Sequence, residues 1–529
     1  MMSRTTEQES TYRGVAWNEP LVYQLSKPGR RGSAMVTSNP AIEKAVGNIL
    51  SLIPEEARRK TAPTLPELSE PEVVRHFLRL SQQTYGVDSG ISVGVGTCTM
   101  KYNPKVNEAL AKSRKLTSIH PLQDEETVQG ILEIMYQLGK WLCEISGMDE
   151  ASVHPRAGAH AALTNAQIIR KYHESNGELG QRDEIITTVL SHPCNGAAPA
   201  TVGFKVITLY PNEDGIPDIE AFKSAVSKHT AGLMMTDPYD TGVFDRNIEE
   251  YINVVHEAGG LVAIDQANGN SILGRLRIGD VGADLCHFNL HKSFSTPHGS
   301  AGPGSAPICV KKALAKFLPI PTVAYDGTKY YLDYDRPDSI GKTASFYGVV
   351  SNVVRAYAWI MSMGAEGLKE TSEVAVINSN YLLQKLLRIR GVTLAWGESY
   401  PRRLQEARYS LEKMKKDTGI GVDGLNRRIV DLGIQKCFTA HEPPIVPEPF
   451  TPEPPESSSK EDIDSFAGAI QQISDEAYTN PKIVEDAPHN CSIAKIDLSP
   501  SRDPKKWAMT WRAYIKKHGR PKPAKNGER

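Results

Sequence analysis

Apolar positions along this chain fall either at helical spacing or in short strand-like runs, and the switches between the two lay out its elements. From Glu70 a helical spacing links Val73, Val74, Phe77, Leu78 and Leu80, and Glu126 to Ile145 repeats it with Val128, Ile131, Leu132, Ile134 and Met135. Between residues 156 and 292 the pattern alternates. Ala161–Tyr172, Ile219–Val226 and Ile248–Ala258 read as helices, the last stopped by Gly259-Gly260. Ile185–Leu190, Phe204–Leu209, Gly232–Met235, Leu261–Ile264 and Ala283–Phe288 read as strands. A long helical stretch follows over Val349–Leu387, with a break at Gly364 and Gly367, and a smaller α/β region from about residue 390 contains a proline-rich loop and a helix over Glu461–Ile473. Residues 1 to about 65 lack periodicity, and Pro63, Pro66 and Pro71 keep the next stretch from being one helix. The expected organisation is an N-terminal arm (1–69), a large domain (70–345), a linking helix with a small C-terminal domain (346–498) and a basic tail (499–529) carrying Lys505, Lys506, Lys516, Lys517 and Lys522.

Strands separated by helices imply a mainly parallel, doubly wound sheet, and such sheets bind ligands beyond the carboxyl ends of their strands. The chemically suggestive residues gather at those ends. His192 follows one strand, Thr236-Asp237 another, Asp265 a third and His291-Lys292 a fourth. Singly, each has an ordinary structural reading: a helix cap, a solvated lysine, a loop histidine. Together, an acid and a lysine at successive strand ends are what pyridoxal phosphate requires, the lysine to form a Schiff base and the carboxylate to keep the pyridine nitrogen protonated. Arg156-Ala157-Gly158-Ala159-His160 opens the first helix of the alternating region, where small residues expose backbone N–H groups to a phosphate. His192 is the candidate for stacking on the pyridine ring.

Bulk properties narrow the surroundings. Hydrophobic residues make up 40% of the 529, charged ones 23%, and the net charge is −1, so no global field favours nucleic acid. No run of about twenty apolar residues predicts a membrane span, and the first thirty residues lack the apolar core of a signal peptide. Seven scattered cysteines without a CxxC pair argue against a disulfide framework and a zinc site and fit a reducing cytoplasm.

Longer words are more specific than the Asp and Lys alone. Leu25-Ser-Lys-Pro-Gly-Arg-Arg-Gly32, Leu65 to Phe77, Cys98-Thr-Met-Lys-Tyr-Asn-Pro-Lys105, His120-Pro-Leu-Gln123, Ala157-Gly-Ala-His160, Asn289-Leu-His-Lys292, Pro297-His-Gly299 and Gly302-Pro-Gly-Ser305 run from the arm through the large domain. With them the chain resembles the glycine dehydrogenase (decarboxylating) family, the P-proteins of the glycine cleavage system, in its two-subunit form and on the lysine-bearing side. The resemblance implies fold type I of the pyridoxal-phosphate enzymes (aspartate aminotransferase-like), with Lys292 as the Schiff-base lysine, Asp265 as the pyridine partner and His192 as the ring-stacking imidazole. Gly158, Ala159, His160, Thr236 and His291 complete the expected cofactor contacts. The implied reaction decarboxylates glycine and passes its aminomethyl group to the lipoyl group of H-protein, with an α subunit as partner in a homo- or hetero-oligomer.

The departures lie on the substrate side. The usual Tyr-Pro-Leu-Gly-Ser before Cys98 becomes Ser92-Val93-Gly94-Val95-Gly96-Thr97, expected to be flexible and lacking an aromatic surface. Thr-Asn-Pro becomes Thr236-Asp237-Pro238, adding an acid expected near the site. Gly-Ala-His-Gly-Glu becomes Gly158-Ala159-His160-Ala161-Ala162, and Ser-Ile-Gly-Arg becomes Ser339-Ile340-Gly341-Lys342, trading a fork for a point charge. A paralogue acting on another amino acid is the alternative these changes leave open. A non-enzymatic cofactor-binding scaffold is the third reading, opposed by the presence of both Asp265 and Lys292.

Overall fold

The computed structural model describes residues 19–32, 38–61, 65–83, 86, 90–96, 101–297, 304–441, 445–491, 495–497 and 499–519. Thr97 to Met100, His298 to Pro303, Pro443-Pro444, Pro63 and Lys522, which carry parts of the motifs above, lie outside them. The chain divides into one unit made of Met1–Tyr85 with Ala487–Arg529 and a second of Gly86–Asp486. The first unit thus extends past the expected arm boundary at residue 69. Glu19 holds His76 at 2.8 Å and Arg30 pairs with Glu72, which ties the helix Glu70–Gln82 to the arm before it. That helix begins at a capping box between Ser69 and Glu72. Val74, Phe77 and Leu78 on it are exposed. The tail helix Trp511–His518 joins the same unit by stacking Trp511 on Tyr23, centroids 4.2 Å apart.

The second unit is built on a seven-stranded sheet: β1 (Glu150–Ser152), β2 (Glu184–Thr188), β3 (Lys205–Leu209), β4 (Thr230–Thr236), β5 (Leu261–Asp265), β6 (Leu285–His287) and β7 (Ile308–Val310). Its order is β1-β7-β6-β5-β4-β2-β3. The five strands β2 to β6 run parallel, while β7 is antiparallel to both β6 and β1. The five parallel strands fall where alternation predicted them. The two at the antiparallel edge were not predicted, because three residues are too few to show a period.

Both sheet faces are covered, and the central strands β4, β5 and β6 are buried along their whole length. One face takes Met234, Ala263 and Leu285 against the helix Gly158–Ser175, whose Ala161, Ala162 and Ala166 let it approach closely. The other takes Leu233, Met235 and Ile264 with Phe288, Phe294 and Trp359. The long helix Val350–Leu386 turns at Gly364, where φ is 63°. Beyond it lies a three-stranded antiparallel sheet (Thr393–Leu394, Tyr409–Ser410, Pro449–Phe450) backed by the helix Lys460–Thr479, around Tyr409, Met414, Leu425, Phe450, Phe466 and Ile470. Among the described residues no helix is long and apolar enough to cross a membrane.

Candidate active site

Register brings the site together. β4, β5 and β6 are paired so that Thr236, Asp265 and His287 stand side by side, each the last residue of its strand. Residues side by side across parallel strands project from the same face. Thr236 Oγ1 donates to Asp265 Oδ2 at 3.1 Å and Asn195 Nδ2 donates to the same oxygen at 3.0 Å. The other oxygen accepts Ala267 N–H at 2.9 Å and lies 3.0 Å from His287 Nε2. Burial works against ionisation of Asp265, but His287 and the surrounding donors outweigh it and hold the carboxyl well below the usual carboxylate range. The result is a fixed, buried anion at the end of the central strand.

Lys292 is buried, and its Nζ donates to Asn268 Oδ1 at 3.2 Å. It sits in a turn after β6 whose backbone is anchored on both sides. Leu290 N–H bonds Ser305 O at 2.9 Å, and Lys101 Nζ, itself buried, donates to Ser293 O at 2.8 Å. Lys101 also lies 2.9 Å from Glu456 of the C-terminal lobe and 4.9 Å above the Trp359 ring. His291 Nδ1 faces Ser305 N–H at 3.4 Å. His192, one strand over from Thr236, donates its backbone N–H to Thr236 Oγ1 at 3.0 Å. Its half-buried ring meets His441 edge to face, centroids 4.5 Å apart, and burial lowers its pKa so that it is neutral near pH 7.

The helix beginning at Gly158 has Ala157 as its N-cap, so no side chain caps the N–H groups of its first turn. A Cβ at Gly158 would stand 2.9 Å from the Asn289 amide, so glycine is what lets this helix start press against the lysine turn. His160 Nδ1 turns back to accept Arg156 N–H at 3.2 Å. Near this helix start, Asn289 Oδ1 and Ser305 Oγ are buried and make no hydrogen bond. Orphaned buried polar atoms beside an uncapped helix start suit a bound phosphate.

Two expectations from sequence are corrected. Asp237 does not face this site: it is fully buried, accepts Asp245 N–H at 3.2 Å, and has its pKa raised by burial and by Asp245. The acid beside the site is Asp240, three residues on. The segment 92–96 is not a flexible loop. Val93 is buried, Val93 O accepts Glu453 N–H and Gly94 O accepts Phe438 N–H, both at 2.8 Å. Gly96 lies so close to the Thr451 carbonyl that no Cβ fits.

Comparison with known proteins agrees with this architecture. The family model for class-V aminotransferases matches residues 115–328, and that for the glycine dehydrogenase C-terminal domain matches residues 371–491. The probable glycine dehydrogenase (decarboxylating) subunit 2 of Pyrococcus furiosus is 48% identical over 505 residues, spanning 95% of this chain and 98% of the relative. The chain belongs to the glycine dehydrogenase (decarboxylating) subunit 2 family. The corresponding protein of Caldanaerobacter subterraneus subsp. tengcongensis is 44% identical, over 90% of this chain and 96% of its own. The crystal structure of a glycine decarboxylase (P-protein) of the glycine cleavage system, in inhibitor-bound form, superposes with a TM-score of 0.68 at 18% identity, over 83% of this chain and all (100%) of that one. A glutamate decarboxylase from Lactobacillus brevis gives 0.62 at 14% identity, over 82% of this chain and 99% of that one. The fold is therefore type I of the pyridoxal-phosphate enzymes.

Within this glycine dehydrogenase scaffold lies a second layer that sequence reading missed. Asn268 Nδ2 donates to Asp240 Oδ1 at 2.9 Å and to Glu406 Oε1 at 3.3 Å, which turns its carbonyl toward Lys292. Gln405 Nε2 donates to Glu406 Oε1 at 2.9 Å, and Asn270 Nδ2 to Glu453 Oε1 at 2.9 Å. Arg408, almost wholly buried, donates through Nε to Thr451 Oγ1 at 3.0 Å. Burial, with Glu453 and Asp240 nearby, pushes the Glu406 carboxyl well above the usual range. Glu406, Arg408 and Glu453 come from the C-terminal lobe and match no short motif. Asn268 was within reach of sequence, as the polar residue three places after Asp265.

Proposed function

We propose that this chain is the lysine-bearing component of a glycine-decarboxylating enzyme, which releases carbon dioxide from glycine and passes the aminomethyl group to the lipoyl group of an H-protein, with a subunit 1 as partner. The reading extends to a cytoplasmic, oligomeric enzyme. The observation that carries it is the pairing of a buried lysine with a buried, stably ionised Asp265 at adjacent strand ends. When bound, pyridoxal phosphate supplies a protonated pyridine ring that accepts the electron pair freed as the carboxylate leaves. The residues present fit that group. Lys292 is the attachment point. Asp265, ionised and held by Asn195, Thr236 and Ala267, keeps the proton on the ring nitrogen. His192 is neutral and aromatic and stacks on the ring. The N–H groups of the first turn at Gly158, Ala159 and His160, with the orphaned oxygens of Asn289 and Ser305, hold the phosphate. Thr236 orients both His192 and Asp265, and His291 steadies the turn through Ser305.

A second reading, the same chemistry on another amino acid, is favoured by one observation. Asp240, Glu406, Glu453 and Arg408 are all buried in the layer behind Asn268, more charge than an amino acid without a side chain needs. The test is exchange of labelled bicarbonate into glycine, with and without lipoyl protein and subunit 1, alongside a panel of amino acids followed by the cofactor spectrum. Exchange with glycine supports the first reading. A spectral response confined to another amino acid supports the second.

A further inference from the structure

An amine that takes the place of Lys292 on the cofactor arrives as an ammonium and must give up a proton before its nitrogen can form a bond. The side chains around Lys292 differ in whether they can take that proton or hold that charge. Asp265 has both oxygens engaged, one by Asn195 and Thr236, the other by Ala267 N–H and His287. Burial raises the pKa of Glu406 well above the usual carboxylate range, and its Oε1 is held by both Asn268 and Gln405. Glu453 has a buried second oxygen as well, but its Oε1 is bonded to Asn270 and not to the asparagine that meets Lys292. Asp240 is distinguished by its place. Its Oδ1 accepts from Asn268, while its Oδ2 is buried and makes no hydrogen bond, in a residue only 3% exposed. One carboxamide, that of Asn268, separates Asp240 from Lys292 Nζ. The Asp240 charge is felt by the ring of His192 and by Arg408, whose Nη2 donates to the Asp240 carbonyl at 3.4 Å.

We propose that Asp240 is a substrate-binding residue whose Oδ2 receives the ammonium of the incoming amino acid beside Lys292. The proposal rests on the functional reading above, in that the ligand is an amino acid reacting at Lys292. The covalent balance is simple. The ammonium N–H first hydrogen-bonds to Oδ2; the proton then passes to that carboxylate, leaving a neutral amine with a free lone pair, and no bond to carbon changes in this step. The carboxylate also explains why Asn268 is oriented as it is: its amino end is spent on Asp240 and Glu406, so only its carbonyl can meet Lys292.

The experiment compares two ligands on the cofactor-loaded protein. Glycine carries ammonium and carboxylate; glycolate carries the carboxylate and no ammonium. Glycine binding is read from the change in cofactor absorbance, glycolate binding from its competition with glycine. Asp240→Asn keeps the acceptor for Asn268 and removes the charge. Glycine affinity should fall at least about tenfold, the scale of one charge-assisted hydrogen bond, while glycolate stays within about twofold of the wild type. Equal weakening of both ligands, as a role confined to holding Asn268 would give, overturns the proposal, and so does unchanged glycine affinity. Should D240N accumulate poorly, Asp240→Ser carries the same comparison. If the wild type responds to another amino acid of the panel and not to glycine, the functional reading falls, and the ratio is measured with that amino acid and its hydroxy-acid analogue. The two failures are thereby told apart.

Discussion

Replacing Asp265 with asparagine tests the centre of the site, because four groups constrain what the new amide can do. One amide position must become NH₂. At the Oδ2 position it meets Asn195 Nδ2, a donor that cannot turn into an acceptor without flipping away from Asp265; the Thr236 hydroxyl can reverse. At the Oδ1 position it meets Ala267 N–H, which cannot reverse at all, while His287 can change tautomer. Either way one buried donor faces another. The cost is about 1–3 kcal/mol of folding stability, the usual penalty for an unsatisfied buried donor. Urea unfolding of the apoprotein reads this directly, with no cofactor involved. The catalytic loss is separate. Without the anion the ring nitrogen loses its proton, and the decarboxylation rate should drop at least about a hundredfold, roughly 2.7 kcal/mol of barrier. Single-turnover decarboxylation on loaded protein measures it. An asparagine variant with wild-type apo stability would refute the donor geometry. One that loads cofactor and turns over within about threefold of the wild type would refute the role of the charge.

Lys292→Ala should remove the yellow cofactor absorbance and all turnover; absorbance retained by a borohydride-trappable cofactor on another lysine would reject the assignment. His192→Ala should raise the dissociation constant of the cofactor while leaving its covalent attachment intact, which equilibrium dialysis and absorbance together can show. Gly96→Ala should destabilise by about 1–3 kcal/mol or more, since the Thr451 carbonyl occupies the space of the added Cβ; an unchanged thermal midpoint would mean the segment relaxes freely. Glu108 accepts two bonds from Arg355, each 2.9 Å, and this pairing lowers its pKa to about 2. A depressed carboxylate stabilises the fold above its unfolded pKa near 4.5 and loses that contribution as pH falls toward about 2. Glu108→Gln should therefore lower stability at pH 7 and flatten the acid limb of the pH–stability curve below pH 4.5, which denaturant midpoints across pH will report.

The polar strand ends were legible because short apolar runs stop abruptly at Thr236, Asp265 and His287–Lys292, and parallel topology sends all such stops to one edge. What could not be read was register. Asp265 and His287 are neighbours only because β5 and β6 end level, and nothing in either strand states that. Asp237 was the conspicuous acid by sequence, yet it turns toward Asp245 and leaves Asp240 to face Asn268. Segment 92–96 reads as flexible from its two glycines, whereas tertiary contact uses them for close approach to Thr451 and Cys437. The helix Cys194–Val202 contains Pro199, which hides it from propensity, and it delivers Asn195 to Asp265. Glu406 and Arg408 arrive from a lobe more than a hundred residues downstream of Lys292, beyond the reach of any local pattern.

Lys101 gives the two lobes of the second unit a shared electrical fate. Its ammonium is bonded to the carbonyl one residue past Lys292, paired with Glu456 on the other lobe, and placed over the face of a tryptophan. If the lobe carrying Glu456 drew back, a charge would be stranded in the protein interior, a loss of about 3–5 kcal/mol when one member of a buried pair is removed. The lobe is thus latched shut by the same atom that tethers the catalytic turn, and any motion that opens it pulls first on the backbone beside the lysine.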